Sequence, residues 1–176
     1  MQKPVSNADL QDCVNAARLA PSAANLQPLE YIIVTKKLKR VFACLGWAGY
    51  LKRGAPKHGN RPVAYIVVIS NKNINENSKY DVGLAVGSIL LTALERRIAG
   101  CIIGSLQRGK LKEICSIPDT YNIELVIALG YPKEKSVIVE YKNDVKYWLE
   151  KDILYVPKKK LTDIVHKEQF NRMVCA

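Results

Sequence analysis

The sequence predicts one domain of mixed helix and strand. Apolar residues recur at helical spacing in two long segments, near Leu10 to Ala17 and from Tyr80 onward, and apolar runs at Tyr31 to Val34, Val63 to Ile69 and, interrupted by Glu124 alone, Ile123 to Leu129 read as buried strands. The chain of 176 residues is long enough to bury a substantial core without a disulfide or a metal. Helices and strands alternating in this way suggest, by themselves, a parallel doubly wound sheet.

Leu10, Cys13, Val14 and Ala17 define the apolar stripe of a first helix, with Ser6 and Asp9 as its cap and Pro21 as its stop. Glu30 to Thr35 is the first strand. Between them Ser22, Asn25 and Gln27 stand on an alanine and proline framing, which suits a flat ligand approaching the backbone and equally suits an ordinary helix-to-strand turn. Lys36 to Leu45 carries Leu38, Val41, Phe42 and Leu45 at helical spacing and stops at Gly46. The glycine-rich, basic stretch Gly46 to Arg61, including Arg53 and Lys57, reads as a loop; its Trp47 and Tyr50 either line a pocket or anchor the loop on the core.

Pro62 to Ser70 reads as an interior strand covered on both faces, and Asn71 to Ser78 as a loop. A helix from Tyr80 to Ala99 is apolar almost all round and is expected at the centre of the molecule, with Ser78 and Asp81 as candidate caps. Gly83 and Gly87, one turn apart, let another helix come close, either in ordinary packing or across a subunit contact. Cys101 to Ile103 is a short strand, Lys110 to Cys115 a short helix ended before Pro118, and Ile123 to Leu129 a further buried strand. Beyond Pro132 the composition turns to Lys, Glu, Asp and Tyr, with too few apolar residues for a separate core, so this stretch must pack against something else.

Bulk properties remove several function classes. No stretch of about 18 uninterrupted apolar residues exists, so membrane spanning is not expected. Cys13, Cys44, Cys101, Cys115 and Cys175 form no Cys-x-x-Cys pair, which fits buried thiols in a reducing compartment, the cytoplasm. The net charge of +11 comes from lysines spread along the chain without interleaved aromatics, a pattern of a solvated basic surface rather than a nucleic-acid groove. There is no P-loop, Gly-x-Gly-x-x-Gly, Gly-x-Ser-x-Gly or His-Glu-x-x-His, and the two histidines, His58 and His166, stand isolated, so neither a metal site nor a hydrolytic triad is expected.

Ala16-Ala17-Arg18-Leu19-Ala20-Pro21-Ser22-Ala23-Ala24-Asn25-Leu26-Gln27-Pro28 resembles the signature of the nitroreductase-like, FMN-dependent oxidoreductase family. Asp81-Val82-Gly83-Leu84-Ala85, Gly100-Cys101-Ile102-Ile103-Gly104-Ser105, Glu124 to Pro132 and Val156-Pro157-Lys158-Lys159-Lys160-Leu161 follow in the family's order. The resemblance replaces the doubly wound sheet by an α+β fold: a central mixed, largely antiparallel sheet wrapped by helices. Residues 1–176 would form a single nitroreductase-like domain, with 131–160 an extended C-terminal arm exchanged in a homodimer and Leu161 to Val165 a closing helical turn. It favours the subunit contact for Gly83 and Gly87.

The resemblance also assigns the chemistry to a cofactor. Flavin N5 carries the reaction and no side chain is catalytic; NADH or NADPH reduces FMN, and a nitroaromatic, quinone or similar small oxidant then takes the hydride in a ping-pong cycle. Pro21, Ser22, Ala23 and Asn25 would contact the ribityl chain and ring edge, and Gln27 would support the loop or bond the pyrimidine side. The backbone around Ile103 and Gly104 would face N5 and O4. Lys158 and Lys159 would approach the phosphate, as point charges rather than the bidentate arginine common in relatives. Three departures bear on this. The chain starts at Met1-Gln2-Lys3-Pro4, after the point where relatives carry an Arg-Arg-Ser-x-Arg phosphate anchor, so the alternative expectation is a flavin-binding or vestigial homodimer without turnover. Leu29 replaces a common tryptophan, and Arg97-Ile98-Ala99 stands where Gly-Leu-Gly is usual.

Overall fold

A computed structural model describes residues 3–51 and 54–170. Met1, Gln2, Lys52, Arg53 and 171–176, with Cys175, lie outside the described residues. The chain packs as two units, one from 1–47 with 55–132 and a smaller one from 48–54 with 133–176.

In the first unit, helix α1 (Asn7–Leu19) starts at Ser6, whose hydroxyl accepts the Asp9 N–H at 3.0 Å and donates to the Asp9 carboxylate at 2.6 Å. The expected Ser6–Asp9 cap therefore forms, with both bonds made by the Ser6 hydroxyl. Ala20 turns to extended backbone, as a residue before proline prefers, and the helix stops. Strands β1 (Leu29–Val34), β2 (Ala64–Asn71), β3 (Ala99–Ile103) and β4 (Tyr121–Gly130) form one sheet in the order β1-β2-β4-β3, with every neighbouring pair antiparallel. Ala64 to Ser70 are all buried. Alternate β2 residues point to opposite faces. Ile66 and Val68 join Leu10, Cys13, Val86 and Ile89 in one core, while Tyr65, Val67 and Ile69 join Val41, Leu111 and Ile114 in the other. The interior-strand expectation for 62–70 thus holds within an antiparallel sheet.

Sequence alternation alone points to the wrong sheet because β2 and β3, joined by helix α3 (Lys79–Glu95), are not neighbours. Strand β4 inserts between them, antiparallel to both, and splits the βαβ unit. Helix α2 (Leu38–Phe42) is shorter than the expected 36–45, and helix α4 (Arg108–Cys115) begins two residues earlier than expected. Cys101 is exposed and Cys115 half-buried, so among the described cysteines Cys13 and Cys44 alone match the buried-thiol expectation.

Helix α3 differs from expectation at three points. It is not buried all round: Val82, Ala85, Val86, Ile89 and Ala93 face the core, whereas Leu84, Leu91 and Leu94 are exposed. Neither cap is used, since the Ser78 hydroxyl donates back to the Asn75 carbonyl and Asp81 turns inward. It ends at Glu95 rather than Ala99, because Arg97 adopts φ 60°. The Arg97 N–H donates to the Leu94 carbonyl at 2.8 Å and that of Ile98 to the Ala93 carbonyl at 2.9 Å, closing a Schellman motif with Ile98 buried behind it. Arg97 occupies the position glycine prefers.

The second unit contains β5 (Lys135–Glu140), β6 (Trp148–Glu150) and β7 (Ile153–Lys158), in the order β5-β7-β6. β5 and β7 are parallel; β6 and β7 form a hairpin. Its two-residue turn, Lys151 (φ 48°) and Asp152 (φ 62°), has the left-handed pair of a type I′ turn. Trp148 stacks on its cross-strand partner Tyr155 at 5.2 Å. None of the described residues of this unit is buried. A short helical turn at Leu161–Asp163 follows, with Val165 N–H bonded to the Leu161 carbonyl, in line with the closing turn expected there.

Left-handed backbone costs a non-glycine residue about 1–2 kcal/mol, part of which glycine returns through its floppier unfolded chain. Arg97→Gly should therefore raise stability by about 1 kcal/mol, read as a higher urea midpoint at unchanged slope.

Candidate flavin site

The loop between α1 and β1 is built around a buried carboxylate. Asp81, on the core-facing side of α3 with Ala85 and Ile89, is 3 % exposed. It accepts the Ser22 hydroxyl at 2.5 Å through one oxygen and the Ala23 N–H at 3.1 Å through the other. The Ser22 hydroxyl in turn accepts the Gln27 N–H at 2.9 Å, and the Gln27 side-chain amide donates to the Asn25 carbonyl at 3.1 Å. Between these anchors Ala23–Asn25 make a single 3-10 turn, with Ala24, Asn25 and Gln27 at φ 48°, 53° and 51°. Three left-handed non-glycine residues in four positions are sustained only where surrounding contacts over-determine the backbone. Asp81 supplies those contacts.

The result is an open cleft of about 160 Å³ walled by Ala17, Pro21, Ser22, Gln27, Tyr31 and Asp81, among others. The Tyr31 hydroxyl is pushed up to about 12, first by burial and then by the nearby Asp81 charge, so it stays protonated in the wall. Pro21, Ala23, Asn25 and Gln27 are exposed on the loop, whereas Ser22 is half-buried with its hydroxyl engaged in holding the loop together.

Ile103 and Gly104 lie elsewhere in the same unit, at the end of β3. Ile103 is buried in the core; Gly104 is exposed, and a Cβ built on it would meet nothing within 4 Å. The following residues are pinned. The Gly46 N–H donates to the Ser105 carbonyl at 2.9 Å, the Gln107 N–H to the Cys44 carbonyl at 2.9 Å, and Leu45 bridges Leu106. A Cβ at Gly46 would come within 2.5 Å of the Ser105 hydroxyl oxygen, which explains glycine there. Ile103 pairs with Val126, which pairs through Val67 with Ile32, so β3 stands three strand spacings, about 14 Å, from β1 and its loop. One protomer therefore does not bring the two predicted halves of the site into contact.

Lys158 and Lys159 belong to the second unit. Both are exposed at the end of β7, and among the described residues neither forms an ion pair, whereas Lys160 bonds Glu140 at 2.9 Å. Trp47 is half-buried and stacked on Phe42 at 4.9 Å; Tyr50 packs edge-on against Tyr147. His58 is exposed and His166 packs against Phe170.

Asp81 is the residue that sequence reasoning misplaced. The available signal was its phase, since it shares the helix face of Ala85 and Ile89, where a carboxylate must find donors.

This geometry has counterparts. Residues 1–131 match the Nitroreductase family, and the chain belongs to that family. A protein of Archaeoglobus fulgidus that carries the provisional name NADH dehydrogenase/NAD(P)H nitroreductase is 29% identical over 151 residues, covering 78% of this chain and 80% of its own. An FMN-dependent nitroreductase structure from Clostridium difficile R20291 superposes with a TM-score of 0.68 at 22% identity, covering 97% of this chain and 92% of its own. A nitroreductase family protein from Clostridium novyi NT gives 0.64 at 25% identity, covering 76% and 78%. The α+β fold of the family is thereby established for this chain. No helix among the described residues is long and apolar enough to cross a membrane.

Hydrogen bonds to a charged group contribute about 1.5–3 kcal/mol each. Asp81→Asn keeps the shape but loses the charge, and should lower stability by about 1–3 kcal/mol in urea unfolding while sharply increasing hydrogen exchange at the Ala23 and Gln27 amides.

Proposed function

We propose that the chain is an FMN-dependent NAD(P)H oxidoreductase of nitroreductase type, working as a homodimer in the cytoplasm on a small-molecule oxidant. The observation that carries this reading is the strained, Asp81-anchored loop, which presents exposed amide side chains and backbone beside a cleft. The residues present fit a flavin. Asn25 and Gln27 offer donors and acceptors for a ribityl chain and a ring edge, Gly104 leaves its backbone open to a planar face, and Lys158 and Lys159 have ammonium groups uncommitted to any described carboxylate. FMN would supply the hydride-accepting N5, reduced by NADH or NADPH and reoxidised in a ping-pong cycle by a nitroaromatic, a quinone or a similar acceptor.

The protein's own part is binding, orientation and charge stabilisation. The Pro21–Gln27 loop holds one edge of the ligand, and Ser22 keeps that loop in register through Asp81. Backbone N–H groups near Gly104 would stabilise negative charge at the ring. A cleft of about 160 Å³ is smaller than the roughly 300–1,000 Å³ of a drug-sized ligand site, so one protomer offers one wall. The 14 Å separation from β3 gives the same reading, a site completed by a second copy. Further support comes from the open face of α3, where Leu84, Leu91 and Leu94 are exposed and Cβ atoms at Gly83 and Gly87 would meet nothing within 4 Å, and from the second unit, none of whose described residues is buried and which suits an exchanged arm.

The purified full chain supplemented with FMN should retain yellow colour on gel filtration at dimer size and oxidise NADPH with menadione or a nitroaromatic. Asn25→Gly keeps the left-handed backbone and removes the amide; it should weaken FMN binding about tenfold with stability no lower than that of the wild type. A folded dimer that ignores added FMN would point instead to a family member without turnover.

A further inference from the structure

The first unit contains a second cleft, on the other side of the sheet from the loop. It is lined by Leu38, Lys39 and Phe42 of α2, by His58 and Arg61 of the following loop, and by Tyr65 of β2, with a volume of about 240 Å³. Tyr65 lies five residues along β2 from Ser70, the partner of Leu29, so the cleft is about 17 Å along the strand from the loop's end of the sheet. Its core side is the cluster of Val41, Val67 and Leu111, whereas the loop cleft borders the cluster of Ala17 and Ala85.

The polar groups here are mismatched. Tyr65 is wholly buried, yet its hydroxyl has no hydrogen-bond partner, and the Arg61 Nε and Trp47 Nε1 are likewise buried and unpartnered. A guanidinium and an indole N–H only donate. The Tyr65 hydroxyl is held protonated, since burial pushes it up to about 12 against the lowering effect of Arg61, so it too is available as a donor. No aspartate or glutamate lines the cleft, and among the described residues Arg61 forms no ion pair. Instead its guanidinium lies 4.1 Å from the centroid of Phe42, whose ring also stacks on Trp47. An orphaned buried donor is unfavourable, so two of them, Tyr65 and Arg61, in the lining of one cleft mark a place where an acceptor belongs.

The geometry points to a second ligand site at this cleft, for a small aromatic carboxylate whose ring packs beside Phe42 and Leu38 and whose oxygens accept from Tyr65 and Arg61. Lys39 and His58 surround the same cleft and add to its basic character. The volume fits a single ring, and the site is separated from the flavin cleft by its place on the opposite face of the sheet. An aromatic cation would be repelled by Lys39 and Arg61, and a neutral ring would leave the donors unpaired.

The test is a fluorine NMR titration of the full chain, with and without FMN, using 4-fluorobenzoate as probe and the isosteric 4-fluorobenzamide as neutral control. Saturable binding of the carboxylate is expected, at least tenfold tighter than the amide and unchanged by FMN. It should weaken about tenfold in Arg61→Gln and in Tyr65→Phe, and stay unchanged in Asn25→Gly. Tyr65→Phe removes one oxygen from a packed ring, so it reads the site independently of the stacking of Arg61 on Phe42. Absence of saturable binding, equal binding of the amide, displacement by FMN, or wild-type affinity in Tyr65→Phe would each overturn the assignment. Because the readout is binding without turnover, it stands or falls separately from the redox reading.

Discussion

A single buried carboxylate organises the candidate site. Asp81 sits on the core face of α3, where an unpaired charge would be strongly unfavourable, and it is satisfied by a hydroxyl and an N–H from a loop 58 and 59 residues away in sequence. The dependence is mutual. The helix needs the loop's donors, and the loop, with three left-handed residues, needs the carboxylate. The serine and alanine of the Pro21-Ser22-Ala23 corner thus have a structural task of their own, leaving Asn25 and Gln27 as the polar side chains of the loop that are exposed to solvent.

Sheet order then sets where the chemistry can occur. Inserting β4 between β2 and β3 carries Gly104 to the far edge from β1, while α1 and α3 stack on one face and α2 and α4 on the other. Arg96 ties the first pair together by reaching Asp9 and Asp12 of α1 at 3.3 and 2.7 Å. These partly exposed ion pairs contribute modestly; the interlocking of Leu10, Cys13 and Ala17 with Val82, Val86 and Ile89 carries more of the load.

Much of this was legible from residues alone. Ser6 and Pro21 bound the first helix because a cap and a proline act locally, and the apolar run of 63–69 named the central strand whatever its neighbours. Strand direction was not legible, since pairing partners are separated by tens of residues and the alternation of helix and strand is the same for split and unsplit βαβ units. The resemblance to a family, not periodicity, supplied the antiparallel sheet. The early end of α3 was hidden because arginine at a left-handed C-terminal position breaks the usual preference for glycine. Asp81 was misread because an acidic residue in a first turn ordinarily serves its own helix. Within the candidate site, the loop residues are contiguous in sequence and so are read together; Gly104 and the two lysines are remote from them in sequence, and no linear pattern records a spatial relation between them.

The small sheet of β5, β6 and β7 has a consequence for assembly. Its hairpin is well specified, by a type I′ turn and a stacked Trp148–Tyr155 pair, yet none of its described residues is more than half-buried. Ordering a residue costs about 1–2 kcal/mol of backbone entropy, which a sheet this thin does not recover from its own apolar contacts. On the proposed homodimer reading its persistence follows mass action with the second copy, so the melting of this segment should track protein concentration while the four-stranded sheet holds independently of dilution.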